Sequence, residues 1–187
     1  SRSDRVTIAQ MNKHMPRTLG AKIHLDEIDC IVEKDEPLIE LKPPVIGDLE
    51  KAIGENVARL IEDGSTLQMG IGAIPDAVLL FLKDKKDLGI HTEMFSDGVV
   101  ALAEAGVVTN SRKTINTGKF VATFLMGTRK LYDFVDGNPD VVMQPVDYTN
   151  DPNIIGQHEK MVSINSALQV DFMGQVNAEM IGRNQFT

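Results

Sequence analysis

Apolar residues recur at helical spacing along Leu49, Ala52, Ile53, Val57, Leu60 and Ile61, a stripe that buries one side of a helix and leaves the other in water. The helix is expected to start at Asp48 and to stop at Asp63-Gly64, a pair that favours a turn. The short apolar run 66–69 then reads as a strand, 75–83 as a second helix, 90–94 as a strand and 98–105 as a third helix. Pro75 suits a first helical turn, where its missing N–H has no intrahelical partner. Strands alternating with helices predict βαβ units and a parallel sheet. Farther on, 119–124 reads as a strand, 128–135 as a short helix, 145–156 as a loop, and 161–165 and 168–172 as strands. Before the first helix, 5–11 and 23–32 are strand-like around a turn at 16–20. Pro37, Pro43, Pro44 and Gly47 punctuate a linker, which puts a boundary near residue 46.

Composition narrows the classes. Among 187 residues, 42% are hydrophobic and 25% charged, an ordinary globular mixture rather than that of a disordered chain. A net charge of −8 and a pI near 5.0 argue against a nucleic-acid or membrane partner, because both need a basic surface. Small anionic substrates stay open, since a few local donors outweigh a distant net field. No apolar run reaches the roughly 18 residues of a spanning helix, and Ser1-Arg2-Ser3-Asp4-Arg5 lacks a signal-peptide core, so a cytoplasmic protein is expected. Cys30 is the sole cysteine, and His14, His24, His91 and His158 show no i, i+4 pair; no disulfide framework and no metal site are expected. Cys30 lies in the apolar patch 28–32, where a small buried hydrophobe is the plainer reading than a nucleophile.

Two segments carry candidate chemistry. Leu67-Gln68-Met69-Gly70-Ile71-Gly72-Ala73-Ile74-Pro75-Asp76 runs from a strand through a Gly-x-Gly turn into a helix, and Ile90-His91-Thr92-Glu93-Met94-Phe95-Ser96-Asp97-Gly98 ends another strand on a carboxylate. Ligands of open α/β sheets sit outside the carboxyl ends of strands, and adjacent strands lie about 4.8 Å apart. Residues 70–74 and Glu93 are therefore expected to face one cavity, with backbone donors beside a carboxylate nucleophile. Taken alone, each half has a plainer explanation: Glu93 as a solvated or helix-capping carboxylate, and the glycines as a tight βα connection needing φ > 0.

Gly70-Ile71-Gly72-Ala73-Ile74-Pro75-Asp76-Ala77-Val78, His91 through Gly98, Phe124-Leu125-Met126-Gly127-Thr128, and Asn165-Ser166-Ala167 with Asp171-Phe172-Met173-Gly174-Gln175-Val176 together resemble the acetyl-CoA hydrolase/transferase family, in the family's order and over nearly the whole chain. The resemblance implies an α/β fold with an open, mainly parallel sheet of the CoA-transferase (NagB/RpiA-like) type, incomplete in this chain. Residues 1–46 would be the tail of an amino-terminal CoA-transferase domain with its linker, and 47–187 the first part of a carboxy-terminal domain carrying the catalytic glutamate. It also implies CoA transfer between short-chain carboxylic acids of the 4-hydroxybutyrate and acetate kind, through a glutamyl-CoA thioester on Glu93. Coenzyme A would be both substrate and covalent partner, with acyl-CoA and short-chain carboxylates as ligands and a homo-oligomer as the complete protein.

By the same resemblance Gly70, Ile71, Gly72, Ala73 and Ile74 contact CoA, with Ile71 supplying an oxyanion-hole N–H. Gln68, Met126 and Gly127 are candidate substrate contacts, and Asn165, Ser166, Lys119, Arg129 and Lys130 weaker ones. For Gln68 a bond to a neighbouring strand is an equal reading, while packing for Met126 and a solvated surface for Lys119, Arg129 and Lys130 are the plainer readings. Two departures stand out: the family's Glu-Val-Asn near the start is replaced by Ala9-Gln10-Met11-Asn12, and its Gly-Gly-Gln segment beyond the region of Gln185 is absent. Poor activity of residues 1–187 by themselves is expected from the second. Acyl-CoA hydrolysis and a non-catalytic CoA-binding or assembly role are the alternatives.

Overall fold

The computed structural model describes residues 6–185. Its strands and helices run in chain order as β1 (Ile8–Met11), β2 (Leu19–Gly20), a 3-10 turn (Leu25–Glu27), β3 (Cys30–Glu33), α1 (Asp48–Arg59), β4 (Thr66–Met69), α2 (Ala73–Leu80), β5 (Gly89–Ile90), β6 (Met94–Phe95) and α3 (Asp97–Glu104). They continue as β7 (Phe120–Ala122), β8 (Phe124–Leu125), α4 (Arg129–Val135), β9 (Val141–Met143), α5 (Val146–Thr149), α6 (Pro152–Ile155) and β10 (Met161–Ile164), with β11 (Gln169–Val170), β12 (Val176–Asn177), β13 (Met180–Ile181) and β14 (Asn184–Gln185) as two antiparallel ribbons.

Parallel pairing joins β10, β4 and β5, and separately β2, β9 and β7. A parallel bridge between His91 and Val121 links the two groups, and β6 pairs with β8 in the same register three residues on. The result is one mainly parallel α/β sheet in the order β10–β4–β5/β6–β7/β8–β9–β2, as expected from the alternating pattern. The expected strand 90–94 is broken at residues 91–93, and 119–124 is broken likewise at Thr123. The cause is visible in the ladder: the Glu93 carbonyl accepts from both Thr123 N–H and Phe124 N–H, each at 2.9 Å. The offset of the two strands is the same before and after the break, His91 with Val121 and Met94 with Phe124, so the ladder is interrupted there without an inserted residue.

Helix α1 packs on α2, α2 on α3 and α3 on α4. The core they close is built around Leu67, Met69, Ile90, Phe95, Phe120 and Val141. On α1 the stripe expected from sequence is corrected, because α1 meets α2 at Gly54, where a Cβ would lie 2.8 Å from the Ala77 backbone. Gly54 and Ala58 are therefore buried and Ile53 and Val57 half-buried, while Leu49, Ala52 and Leu60 are exposed. Phe95 stacks on Phe120 at 5.7 Å between ring centroids, and Phe134 meets both edge-on.

Several expectations are corrected. The loop expected at 145–156 contains α5 and α6, each of four residues; Asp151 caps α6 from its side chain and Pro152 occupies its first turn, a start signal that outweighs the loop-like composition. The strand expected at 168–172 is confined to β11, because Asp171 accepts from Met173 N–H and Gln175 N–H and turns the chain. Within 23–32 the His24 side chain caps a 3-10 turn, leaving only β3 extended. Cys30 is exposed rather than buried: β3 pairs only with β1, and both strands are mostly open to solvent. β2 lies before the boundary expected near residue 46 yet pairs with β9 beyond it.

Candidate functional site

Strand order reverses at β4. The chain steps outward from β4 through β5, β7 and β9, then returns to lay β10 on the other side of β4. A crevice outside the carboxyl ends of the strands at such a reversal is the place where open α/β sheets bind ligands. The segments emerging there are the turn after β4, residues 91–93 after β5, and Asn165-Ser166 after β10.

Each is fixed by named bonds. The Gly70 N–H donates to the Ile164 carbonyl at 2.8 Å, and a Cβ on Gly70 would lie 2.6 Å from Asn165 Oδ1 and 2.9 Å from the Ile164 oxygen, so only glycine allows this approach. Gly72 precedes α2 with φ +123° and ψ −179°, a conformation essentially reserved to glycine. On the other side, buried Thr92 accepts from Met69 N–H at 3.0 Å, with its hydroxyl within 3.2 Å of the Met69 carbonyl and 3.1 Å of the Met94 carbonyl. β4 and β5 are neighbours, with Thr66 opposite Gly89 and Leu67 opposite Ile90, and Gly70 and Glu93 follow them in the chain by one and three residues. The turn and the carboxylate thus leave neighbouring strands at one end of the sheet.

Glu93 is half-buried, and its Oε2 accepts from Asn150 Nδ2 at 2.9 Å. Asn150 directly follows α5, which is moored beneath it: the Thr149 carbonyl lies 3.0 Å from His91 Nε2, and the Thr149 and Thr123 hydroxyls lie 2.6 Å apart. Sequence reasoning missed Asn150 because 57 residues separate it from Glu93; the Asp151-Pro152 helix start was the available local signal.

Gln68, on the strand before the turn, bonds Ser163 through its Oε1, which also accepts from Asn165 Nδ2 at 3.0 Å. Its side-chain oxygen is therefore already engaged by β10 and the residue after it, and the residue is half-buried. Ile71 and Gly72 share a cavity of about 560 Å³ with Met94, Met126 and Gly127. The Glu93 side chain is not in that lining. Three cationic candidates hold surface ion pairs: Lys119 with Asp140, Arg129 with Asp133, and Lys130 with Glu104.

Behind His91 lies His158, with ring centroids 4.9 Å apart. His158 is 5% exposed, and neither ring nitrogen has a hydrogen-bond partner. Burial, then His91 and Lys113, push its pKa down to about 4. Lys113, whose Nζ donates to the Ile90 and Lys119 carbonyls at 2.7 and 2.6 Å, is lowered to about 7 by burial. Between about pH 4 and the ordinary histidine value, folded His158 binds fewer protons than the unfolded chain, so its effect is to make stability fall as the pH drops through that window. Replacing His158 by Phe is expected to flatten the fall in Tm between pH 6.5 and 4; equal slopes for the two proteins would show that His158 does not set the acid limit. No group of three or more His, Cys, Asp or Glu among the described residues could hold a metal ion, and no described helix is long and apolar enough to cross a membrane.

Residues 127–187 match the acetyl-CoA hydrolase/transferase C-terminal domain. The chain is 62% identical over 99% of its length to a 4-hydroxybutyrate coenzyme A transferase of Clostridium kluyveri, covering 43% of that protein. It belongs to the acetyl-CoA hydrolase/transferase family. A succinyl-CoA:cyclohexane-1-carboxylate CoA transferase of Geobacter metallireducens is 50% identical over 96% of the chain and 41% of its own length. The fold agrees: a 4-hydroxybutyrate CoA-transferase structure from Porphyromonas gingivalis superposes with a TM-score of 0.85 at 49% identity, over 91% of this chain and 44% of the other. RipA from Yersinia pestis gives 0.87 at 46% identity, over 96% and 42%. The chain spans about two fifths of the length of these family relatives.

Proposed function

We propose that this chain supplies the glutamate and the oxyanion turn of a CoA-transferase that moves CoA between short-chain carboxylic acids, 4-hydroxybutyrate and acetate among them. The observation that carries the proposal is that Glu93, bonded by Asn150, and the turn at Gly70 follow neighbouring strands, β5 and β4, at the same end of the sheet. The names of the family relatives support the reaction class.

In this reading the Glu93 carboxylate attacks the acyl-CoA thioester carbonyl, and CoA thiolate leaves a mixed acyl-glutamyl anhydride. The thiolate then attacks the glutamyl carbonyl and releases the first acid as its carboxylate, giving the glutamyl-CoA thioester. An acceptor carboxylate reverses the two steps and departs as the new acyl-CoA. Each addition builds a tetrahedral oxyanion, which the N–H of Ile71 would stabilise; one such donor contributes about 3 kcal/mol to lowering the barrier. Asn150 holds the Glu93 oxygen by a hydrogen bond and so restricts the carboxylate's orientation.

Transfer and hydrolysis share these residues and differ in what resolves the thioester. In the complete protein, free CoA should appear from acyl-CoA only in small, enzyme-equivalent amounts until a carboxylate is added, and a new acyl-CoA should then form. Continuous CoA release in buffer without carboxylate would identify a hydrolase instead. Binding of CoA with neither outcome would leave an assembly or binding role.

A further inference from the structure

Helix α5 has four residues and no side-chain cap at its start, where Pro145 precedes it, and a single helical turn does not hold itself together in water. One residue past its end it carries the Asn150 amide that bonds the Glu93 carboxylate. What holds α5 is therefore what holds Asn150. Side chains from three other segments reach the helix: Asn116 Nδ2 donates to the Tyr148 hydroxyl at 2.8 Å, the Thr123 and Thr149 hydroxyls lie 2.6 Å apart, and His91 Nε2 lies 3.0 Å from the Thr149 carbonyl. The His91 contact is the fully buried one of the three. The His91 N–H donates to the Leu67 carbonyl at 3.1 Å and the Thr92 N–H to the Val121 carbonyl at 3.0 Å, so this stretch of backbone is stitched into the sheet between β4 and β7. A carbonyl oxygen only accepts, so Nε2 carries the hydrogen. Nδ1 has no partner among the described residues. Burial lowers the pKa of the ring and outweighs the Thr149 carbonyl, which raises it, so at neutral pH the imidazole is the uncharged Nε2–H form.

We propose that His91 is a positioning residue of the transfer site: its Nε2–H holds α5 by the Thr149 carbonyl, and through α5 it keeps Asn150 Nδ2 on Glu93 Oε2. The inference rests on the CoA-transferase reading for the reaction it serves. His91 and Glu93 stand two residues apart on one segment, Thr149 and Asn150 are adjacent on another, and two side-chain bonds join the segments. The amide that orients the carboxylate is thereby tied to the carboxylate's own stretch of chain. Thr123 braces the same ring, with its N–H on the Glu93 carbonyl at 2.9 Å and its hydroxyl on that of Thr149. Without the His91 donor the carbonyl of buried Thr149 loses its partner and α5 has to move to find another. Misplacing a reacting group by about 1 Å costs around 100-fold in rate, so a small drift of Asn150 is enough to be read in turnover.

The test compares two amides of different reach in the complete protein. The side-chain nitrogen of His91→Gln extends about as far as Nε2 and can still donate to the Thr149 carbonyl, whereas that of His91→Asn stops short. His91→Asn is expected to lower kcat for transfer by about 10- to 100-fold with KM for acyl-CoA within about threefold, and His91→Gln to recover most of the loss. Deuterium exchange at residues 148–150 should speed up in His91→Asn and stay near the parent rate in His91→Gln. In an Asn150→Ala background, where the positioned group is gone, His91→Asn should cost less than about threefold more. If His91→Asn does not fold, His91→Leu takes its place in each comparison. Full kcat in the short variant, an equal loss in His91→Gln, or a loss undiminished by Asn150→Ala overturns the proposal. Exchange separates this inference from the reading beneath it. If the unsubstituted protein moves no CoA, the transferase reading falls, and unchanged exchange at 148–150 in His91→Asn then overturns the mooring by itself.

Discussion

Glu93→Gln in the complete protein is expected to lower CoA transfer by roughly 10⁴-fold or more, the scale seen when a covalent nucleophile is removed. The amide has nearly the shape of the carboxylate, and its oxygen still accepts from Asn150 Nδ2, which lies 2.9 Å from Glu93 Oε2. Folding should therefore be kept, with a Tm within a few degrees of the parent. What disappears is the nucleophile: an amide oxygen is a far weaker one, and the glutamyl-CoA thioester cannot be reached from it by the same steps. Incubation with acyl-CoA followed by hydroxylamine or borohydride should label Glu93 in the parent and nothing at that position in the variant. Full transfer by Glu93→Gln, or trapping of CoA on a different carboxylate, would take Glu93 out of the chemistry.

The parts of the molecule written in local pattern were legible. Helix α1 follows from the spacing of Leu49, Ala52, Ile53 and Val57, and its observed start at Asp48 is the residue at which the pattern begins. β4 spans the expected residues 66–69, because a short apolar run between Gly64 and Gly70 has only one regular structure it can fill. Short elements were not legible. β9 has three residues between Pro139 and Pro145, and α5 and α6 have four each, too few for any period to show; β9 is held by β7 and β2 and α5 by His91, while α6 rests on its Asp151 cap. The break in the ladder at Glu93 is likewise a tertiary event, made with Thr123 and Phe124 N–H groups thirty residues away.

The candidate site divides in the same way. A Gly-x-Gly turn and a strand-end glutamate are visible in sequence, and the resemblance gave them roles. Which strands flank β4 is not visible, since β10 arrives beside it after nearly a hundred intervening residues, and with it come Ser163 and Asn165 to occupy Gln68. Sequence leaves Gln68 open between a substrate contact and a bond to a neighbouring strand, and in the fold its side-chain oxygen bonds Ser163 and Asn165. The segment 39–46 differs from its expectation. Its prolines mark it as a linker, yet three hydrogen bonds hold it against α4 and the residues leading into it, and it walls the cavity beside the turn.

Gly72→Val should separate chemistry from stability. A Cβ at Gly72 would meet only Ser166 Oγ, at an ordinary 3.9 Å. The cost is conformational: φ +123° is closed to a β-branched residue and strains the backbone by about 1–3 kcal/mol. The chain can relieve that strain by rotating the Ile71–Gly72 peptide, and this moves the proposed Ile71 donor away from the developing oxyanion. A shift of about 1 Å at such a point costs around 100-fold, and loss of one oxyanion donor about 10²–10³-fold. Transfer should therefore fall by roughly 10²–10³-fold, while Tm drops by only a few degrees. Gly137 provides the control: it also has positive φ, +65°, with nothing within 4 Å of a Cβ, and it follows α4 away from the crevice. Gly137→Val should show a comparable fall in Tm with transfer nearly intact. If both variants lose transfer equally, the turn at Gly72 acts only through stability and the assignment of its backbone to the oxyanion fails.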